Sequence, residues 1–127
     1  ISINSPNISS NIDNYLKCKI FIKSFFYFFR KYNYNSSLAD FEYDIHLNMN
    51  TIEILFKGFS SRFHDYVDYV TYYLSFFKPN KKMIDFTIKN IIKDIENSKL
   101  NEPYLNIDNY LNEIFFNKFF NIQEKLD

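Results

Sequence analysis

One glycine, one cysteine, no tryptophan and no net charge narrow the chemistry open to this 127-residue chain before any motif is sought. With Gly58 as its only glycine, a Gly-rich phosphate loop is excluded, because such loops need several positions where backbone approaches phosphate without a Cβ. Cys18 stands alone, so no internal disulfide can form and a small disulfide-stapled secreted scaffold is excluded. Fifteen basic and fifteen acidic side chains cancel, leaving no electrostatic case for nucleic acid, whose capture needs a basic surface. The longest apolar patch, Ile20 to Phe29, is interrupted by Lys23-Ser24 and falls well short of the roughly 20 residues a membrane helix requires. The opening Ile1-Ser2-Ile3-Asn4 has neither the basic head nor the apolar core of a signal peptide. The lone cysteine favours an intracellular, cytoplasmic setting.

What the chain has in quantity is Phe and Tyr, together 21% of residues, among many Asn, Ile and Lys. That bias is what an AT-rich gene would produce, so Asn runs carry little functional weight. The two triplets of glycosylation type, Asn7-Ile8-Ser9 and Asn35-Ser36-Ser37, are expected by chance in such a composition.

The stretch Tyr43 to Phe59, YDIHLNMNTIEILFKGF, has the parity of a β-hairpin. Tyr43, Ile45, Leu47 and Met49 are odd, and after Asn50-Thr51 the apolar side passes to Ile52, Ile54 and Phe56. A two-residue turn at Asn50-Thr51 would pair 49 with 52, 47 with 54, 45 with 56 and 43 with 58, gathering the apolar residues on one face. Asp44 would then stand opposite Lys57 on the other face. Before the hairpin, Ile1 and Ile3 alternate with polar residues as the end of a strand over 1–4. A loop containing Pro6 leads to helical structure over 13–41, in one or two segments, with Ser10 or Asn11 as its cap. After the hairpin of 43–58, Phe63, Tyr66, Val67, Val70, Tyr73, Leu74 and Phe77 recur at threes and fours, giving a helix over 62–77. Pro79-Asn80 ends it, and Asn80 can cap a helix over 81–98. That helix should bury the stripe Ile84, Ile88, Ile91 and Ile95, with Lys82, Asp85, Lys89, Lys93 and Glu96 in water. A stop at Asn101-Glu102-Pro103 precedes a further helix over 105–119 carrying Ile107, Tyr110, Leu111, Ile114 and Phe115. The fold class is therefore α+β, an antiparallel or mixed sheet with packed helices. The sequence opens inside a strand, and Asn121-Ile122-Gln123-Glu124 has capping-box spacing three residues before it stops. Both features read as those of an incomplete domain cut from a longer polypeptide.

Few residues are candidates for chemistry. His64 with Asp68 at i+4 could form an oriented imidazole, but a zinc site generally wants three protein ligands, and a local hydrogen bond is the plainer reading. His46 falls mid-strand, and Cys18 reads as a buried, inert thiol. A metal-dependent hydrolase built on Cys18, His46 and His64 would require all three to converge. Pairs such as Asp40/Glu42 and Asp65/Asp68 are ordinary on helix ends and exposed faces, and general acid–base work needs a cleft that separates their pKa values. No nucleophilic triad suggests itself. The residues alone therefore nominate no catalytic, cofactor-binding or metal residue. The aromatic helix over Phe21 to Phe29 leaves open a second reading, a free-standing module that binds a protein or peptide without catalysis.

From Leu38-Ala39 through Tyr43-Asp44-Ile45 to Phe56-Lys57-Gly58-Phe59, the sequence resembles the insulin-degrading enzyme branch of the pitrilysin/insulinase zinc metallopeptidases. The part resembled is the first domain of their non-catalytic second half, where a helix ending in Leu-Ala-Gly-Leu leads through Tyr-Asp-Leu to a hairpin closing on Val-Lys-Gly-Tyr. Ser5-Pro6, the long first helix, the Ile84 to Ile95 helix and the Asn101-Glu102-Pro103 break follow in the same order, so the similarity covers essentially all of 1–127. Asp40 departs from a common Gly, Ile84 from a frequent Phe, and the first helix is denser in aromatics.

The resemblance implies a domain of the mitochondrial processing peptidase type and a parent that hydrolyses peptide bonds inside a chamber. In that family a His-x-x-Glu-His helix and a distant Glu hold zinc in the first domain, and an assisting Arg and Tyr come from the last. Here His46 is followed by Leu47-Asn48-Met49-Asn50 and His64 by Asp65-Tyr66-Val67-Asp68, so neither is such a helix. The implied role is a piece of chamber wall without zinc of its own, the zinc lying elsewhere in the parent. Its partners would be the remaining domains of the same polypeptide and the parent's peptide substrates. A thin sheet with an unpaired edge would also let the isolated segment self-associate.

Overall fold

A computed structural model of the chain describes residues 1–8 and 10–99, and the expected helix over 105–119 lies outside them. Three strands and three helices follow in the order β1 (Ser2–Asn4), α1 (Ile12–Leu38), β2 (Glu42–Leu47), β3 (Thr51–Lys57), α2 (Phe63–Phe76) and α3 (Lys81–Lys99). The sheet is antiparallel with β3 in the middle, in the order β1-β3-β2. Helices α1 and α2 cover its inner face, and α3 lies along another side of α1.

α1 is a single unbroken helix of 27 residues, about 40 Å long at 1.5 Å per residue. Asn11 starts it, its side-chain oxygen accepting the Asn14 N–H at 2.8 Å, with Asp13 in the favourable first turn. It ends at Leu38, three residues before the expected limit, because the chain leaves through a left-handed residue, Asp40, with φ 58°. The Phe41 N–H donates to the Ser36 carbonyl and the Asp40 N–H to the Ser37 carbonyl, the two bonds of a Schellman termination. This is the conformation that glycine adopts without strain.

The hairpin keeps the faces read from its parity but not the register. Tyr43 pairs with Phe56, Ile45 with Ile54 and Leu47 with Ile52, while Glu42 stands opposite Lys57 and Asp44 opposite Leu55. Residue 47 is thus beside 52 and not 54, and Lys57 reaches Glu42 at 3.7 Å instead of Asp44. The turn is centred on Met49-Asn50, and Thr51 already belongs to β3. β1 accounts for the difference: Asn4 pairs with Thr51, and the Ser5 N–H donates to the Asn50 carbonyl at 2.8 Å. A slip of two residues preserves every face, so hydrophobic alternation could not distinguish the registers. The third strand could.

Phe25 and Phe29 of α1 have no solvent exposure and sit under Ile45 and Ile54, with Tyr66, Val70 and Phe77 closing the core from the α2 side. Ile1 and Ile3 share that inner face through the pairing of Ile3 with Ile52, yet remain half exposed, because the described helices do not reach β1. In α3, capped by the Asn80 side chain on the Met83 N–H, Ile91 and Ile95 are buried while Ile84 and Ile88 are only half-buried. The stripe is centred instead on Thr87, whose hydroxyl is fully buried 3.0 Å from that of Ser24 on α1.

Two substitutions test this account. A Cβ at Gly58 would overlap Cδ1 of Phe41 and stand 2.8 Å from its Cε1, and that ring is buried and stacked on Tyr66. Gly58→Ala should therefore lower stability by about 1–3 kcal/mol in urea unfolding. Asp40→Gly should act in the opposite sense. Relief at positive φ outweighs the added freedom of the unfolded chain, and the urea midpoint should rise by the equivalent of about 0.5 kcal/mol with the slope unchanged.

Candidate functional site

The residues that the sequence nominates for chemistry are placed apart. His46 points from the outer, exposed face of β2 and lies 3.3 Å from Asp44, its neighbour two residues back on the same strand. His64 is exposed in the first turn of α2, its ring against Phe63. The ion pairs among the described residues are Lys23–Asp94, His46–Asp44 and Lys57–Glu42, so Asp68 does not orient His64. Cys18 is half-buried on α1, and burial pushes its thiol pKa up, away from the thiolate that reacts or binds metal. Among the described residues no three His, Cys, Asp or Glu side chains gather as a metal site would need.

A cleft of about 280 Å³ beside β2 collects polar groups in a concavity, lined by Ser37 of α1 together with Phe41, Glu42, Asp44, His46 and Lys57. Register explains its composition. Glu42, Asp44 and His46 are the outward residues of β2, and Lys57 is the outward residue of β3 opposite Glu42. Both ion pairs are largely open to water, which screens them and leaves little free energy in either. General acid–base catalysis draws on desolvation of the groups that exchange protons, and the side chains of Glu42, Asp44, His46 and Lys57 are largely in water.

Perturbed titrations occur at its rim and are structural in origin. Burial, the Tyr66 ring and the Asp44 carboxylate raise the pKa of Tyr43. Tyr66, which donates to Asn33 Oδ1 at 2.9 Å, is pushed up to about 12, chiefly by burial. Lys19 on α1 is shifted down by burial and by Lys23, with Asp94 opposing. None of these shifts is legible from sequence, because each arises from burial where separate elements meet.

The raised phenols have a consequence for pH. A group whose folded pKa exceeds its unfolded value stabilises the fold below the unfolded pKa and loses that contribution as pH rises through the folded one. Stability should therefore be level near neutrality and fall from about pH 10 upward, as Tyr43 and Tyr66 ionise in the unfolded chain. Urea unfolding across that range, with Tyr66→Phe flattening the decline, would check it.

Among the described residues no three candidate metal ligands gather, and identity comes from comparison. A search of curated proteins returns no match. The entire chain, residues 1–127, matches the family described as the middle or third domain of peptidase M16. A match over the full length shows the family, and the chain belongs to the middle or third domain family of the M16, pitrilysin- and insulinase-type, zinc metallopeptidases.

Proposed function

We propose that this chain is a non-catalytic segment of an insulinase-type zinc-dependent endopeptidase. In this reading it is part of the first domain in the second half of the insulin-degrading enzyme branch, and it forms wall of the chamber that encloses peptide substrates. The family match over residues 1–127 carries the reading. The donor set supports it as well: His46 and His64 are separate and exposed, Cys18 is shifted away from thiolate, and no three candidate ligands meet among the described residues. These residues do not fit a zinc ion, so the zinc of the parent would be held by another domain, and no step of hydrolysis is assigned to this chain.

What the chain would contribute is shape. Its aromatic core fixes a rigid block, and its surface carries large apolar side chains suited to contact with neighbouring domains. Phe59 is fully exposed, Phe76 is 71% exposed and Leu38 70% exposed. Single apolar residues on a surface are common, but aromatics of this size are enriched where proteins meet. Cys18, with no second cysteine in the sequence, supports a reducing, cytoplasmic setting.

The purified 127-residue chain should show no peptide hydrolysis and no stoichiometric zinc by elemental analysis, whereas the parent polypeptide should cleave unfolded peptides and lose that activity to a chelator. Zinc at one equivalent in the isolated chain, lost on His64→Ala, would overturn the assignment. A parent indifferent to chelation would refute the zinc peptidase reading.

A further inference from the structure

β2 is an edge strand: β3 occupies one side of it, and among the described residues nothing pairs with the other. The direction of its amides follows from the ladder. The Asn48 N–H donates to the Thr51 carbonyl at 2.8 Å, so bonded pairs recur at every second position, at His46–Glu53, Asp44–Leu55 and Glu42–Lys57. The amides of Tyr43, Ile45 and Leu47 therefore point away from β3. Ile45 shows this directly, since its N–H is taken by Oδ1 of Asp44 at 2.8 Å. A carboxylate stands where the carbonyl of another strand would stand, which is one way exposed edges are blunted.

We propose that this edge is the contact surface for a second copy of the chain, the two β2 strands pairing antiparallel about a two-fold axis at Ile45. Only outward-pointing residues can exchange hydrogen bonds across the new seam, and that restricts the register. Centring on Asp44 would set Asp44 against Asp44, and centring on His46 would leave Tyr43 without a partner inside the strand. Centring on Ile45 pairs Tyr43 with Leu47 of the second copy, Ile45 with Ile45 and Leu47 with Tyr43, so all three outward amides are used. On the outer face the same register places Asp44 opposite His46 of the second copy, twice. Hydrogen-bonding complementarity between carboxylate and imidazole thus selects the arrangement that also makes the most main-chain bonds. Each Asp44 carboxylate moves from its own Ile45 amide to the facing imidazole, and the amide passes to the facing carbonyl. The cleft beside Glu42, Asp44 and His46 leaves open space along this edge. This contact is independent of the family reading.

Sedimentation equilibrium of the 127-residue chain, from low to high micromolar concentration, tests it. The unaltered chain should dimerise. Leu47→Pro, which removes an amide that β3 does not use, should be monomeric with an unchanged circular dichroism spectrum. His46→Asp should weaken association at least about tenfold by setting like charges opposite each other twice. The exchange Asp44→His with His46→Asp restores carboxylate facing imidazole in the same register and should recover the dimer. A strict monomer, a dimer indifferent to Leu47→Pro and His46→Asp, or an exchange that fails to recover association would overturn the proposal. Indifference would assign the contact to another surface, such as the outer edge of β1.

Discussion

The rings of Phe25 and Phe29 are the reference against which the rest of the chain is placed. They stack at 5.2 Å on one face of α1 and have no exposure. Tyr43 of β2 meets Phe29 edge-on at 5.4 Å, Tyr69 and Tyr73 of α2 meet the same ring at 5.6 and 5.4 Å, and Phe77 beyond α2 meets Phe25 at 5.4 Å. β2, α2 and the segment just beyond α2 therefore each touch one of two side chains a single helical turn apart. Aromatic pairs of this kind add about 0.5–1.5 kcal/mol beyond the area they bury, and tilted or edge-on geometry is what their quadrupoles favour. With only one glycine and one alanine in the sequence, the core is filled by large flat rings, and Gly58 is the point where backbone must yield to one of them.

α3 is attached by a different chemistry. Its contact with α1 includes the buried Ser24–Thr87 hydroxyl pair and the Lys23–Asp94 ion pair, alongside Ile91 and Ile95. A buried hydroxyl without its partner costs about 1–3 kcal/mol, so the Ser24–Thr87 bond penalises any sliding of one helix along the other. The aromatic cluster gathers the elements, and the polar pair fixes how far α3 is advanced along α1. In this block the paired polar groups are either engaged between helices or left open to water.

Much of this was legible in the sequence. The strands, the start of α1 at Ser10 or Asn11, the cap at Asn80 and the face of each hairpin strand follow from local spacing, and the structure chose Asn11. The lack of a His-x-x-Glu-His helix was equally readable, whereas the separation of His46 from His64 was decided by the fold. The Asp44–His46 pair was not foreseen as such, although an i,i+2 spacing on one strand places two side chains on one face. Thr87 was overlooked because a polar residue inside an isoleucine stripe reads as an interruption, when it is in fact the stripe's centre. The sign that could have found it is Ser24, the polar residue interrupting the apolar run on the facing helix.

By itself, then, the sequence determined which residues form helices and strands and which side of each is apolar, because those properties depend on neighbours within a turn or on alternation along a strand. It also determined the family, through similarity spread over its whole length. Only the tertiary structure decided the hairpin register, since slips of two residues are degenerate in hydrophobic pattern and β1 had to break the tie at Thr51 and Asn50. It alone decided that α1 must end at a left-handed Asp40, because the chain had to turn back toward the sheet there and Phe41 had to enter the core beside Gly58. The pKa shifts of Tyr43 and Tyr66 belong to the same class, because burial is a property of elements meeting, which no local stretch of residues contains.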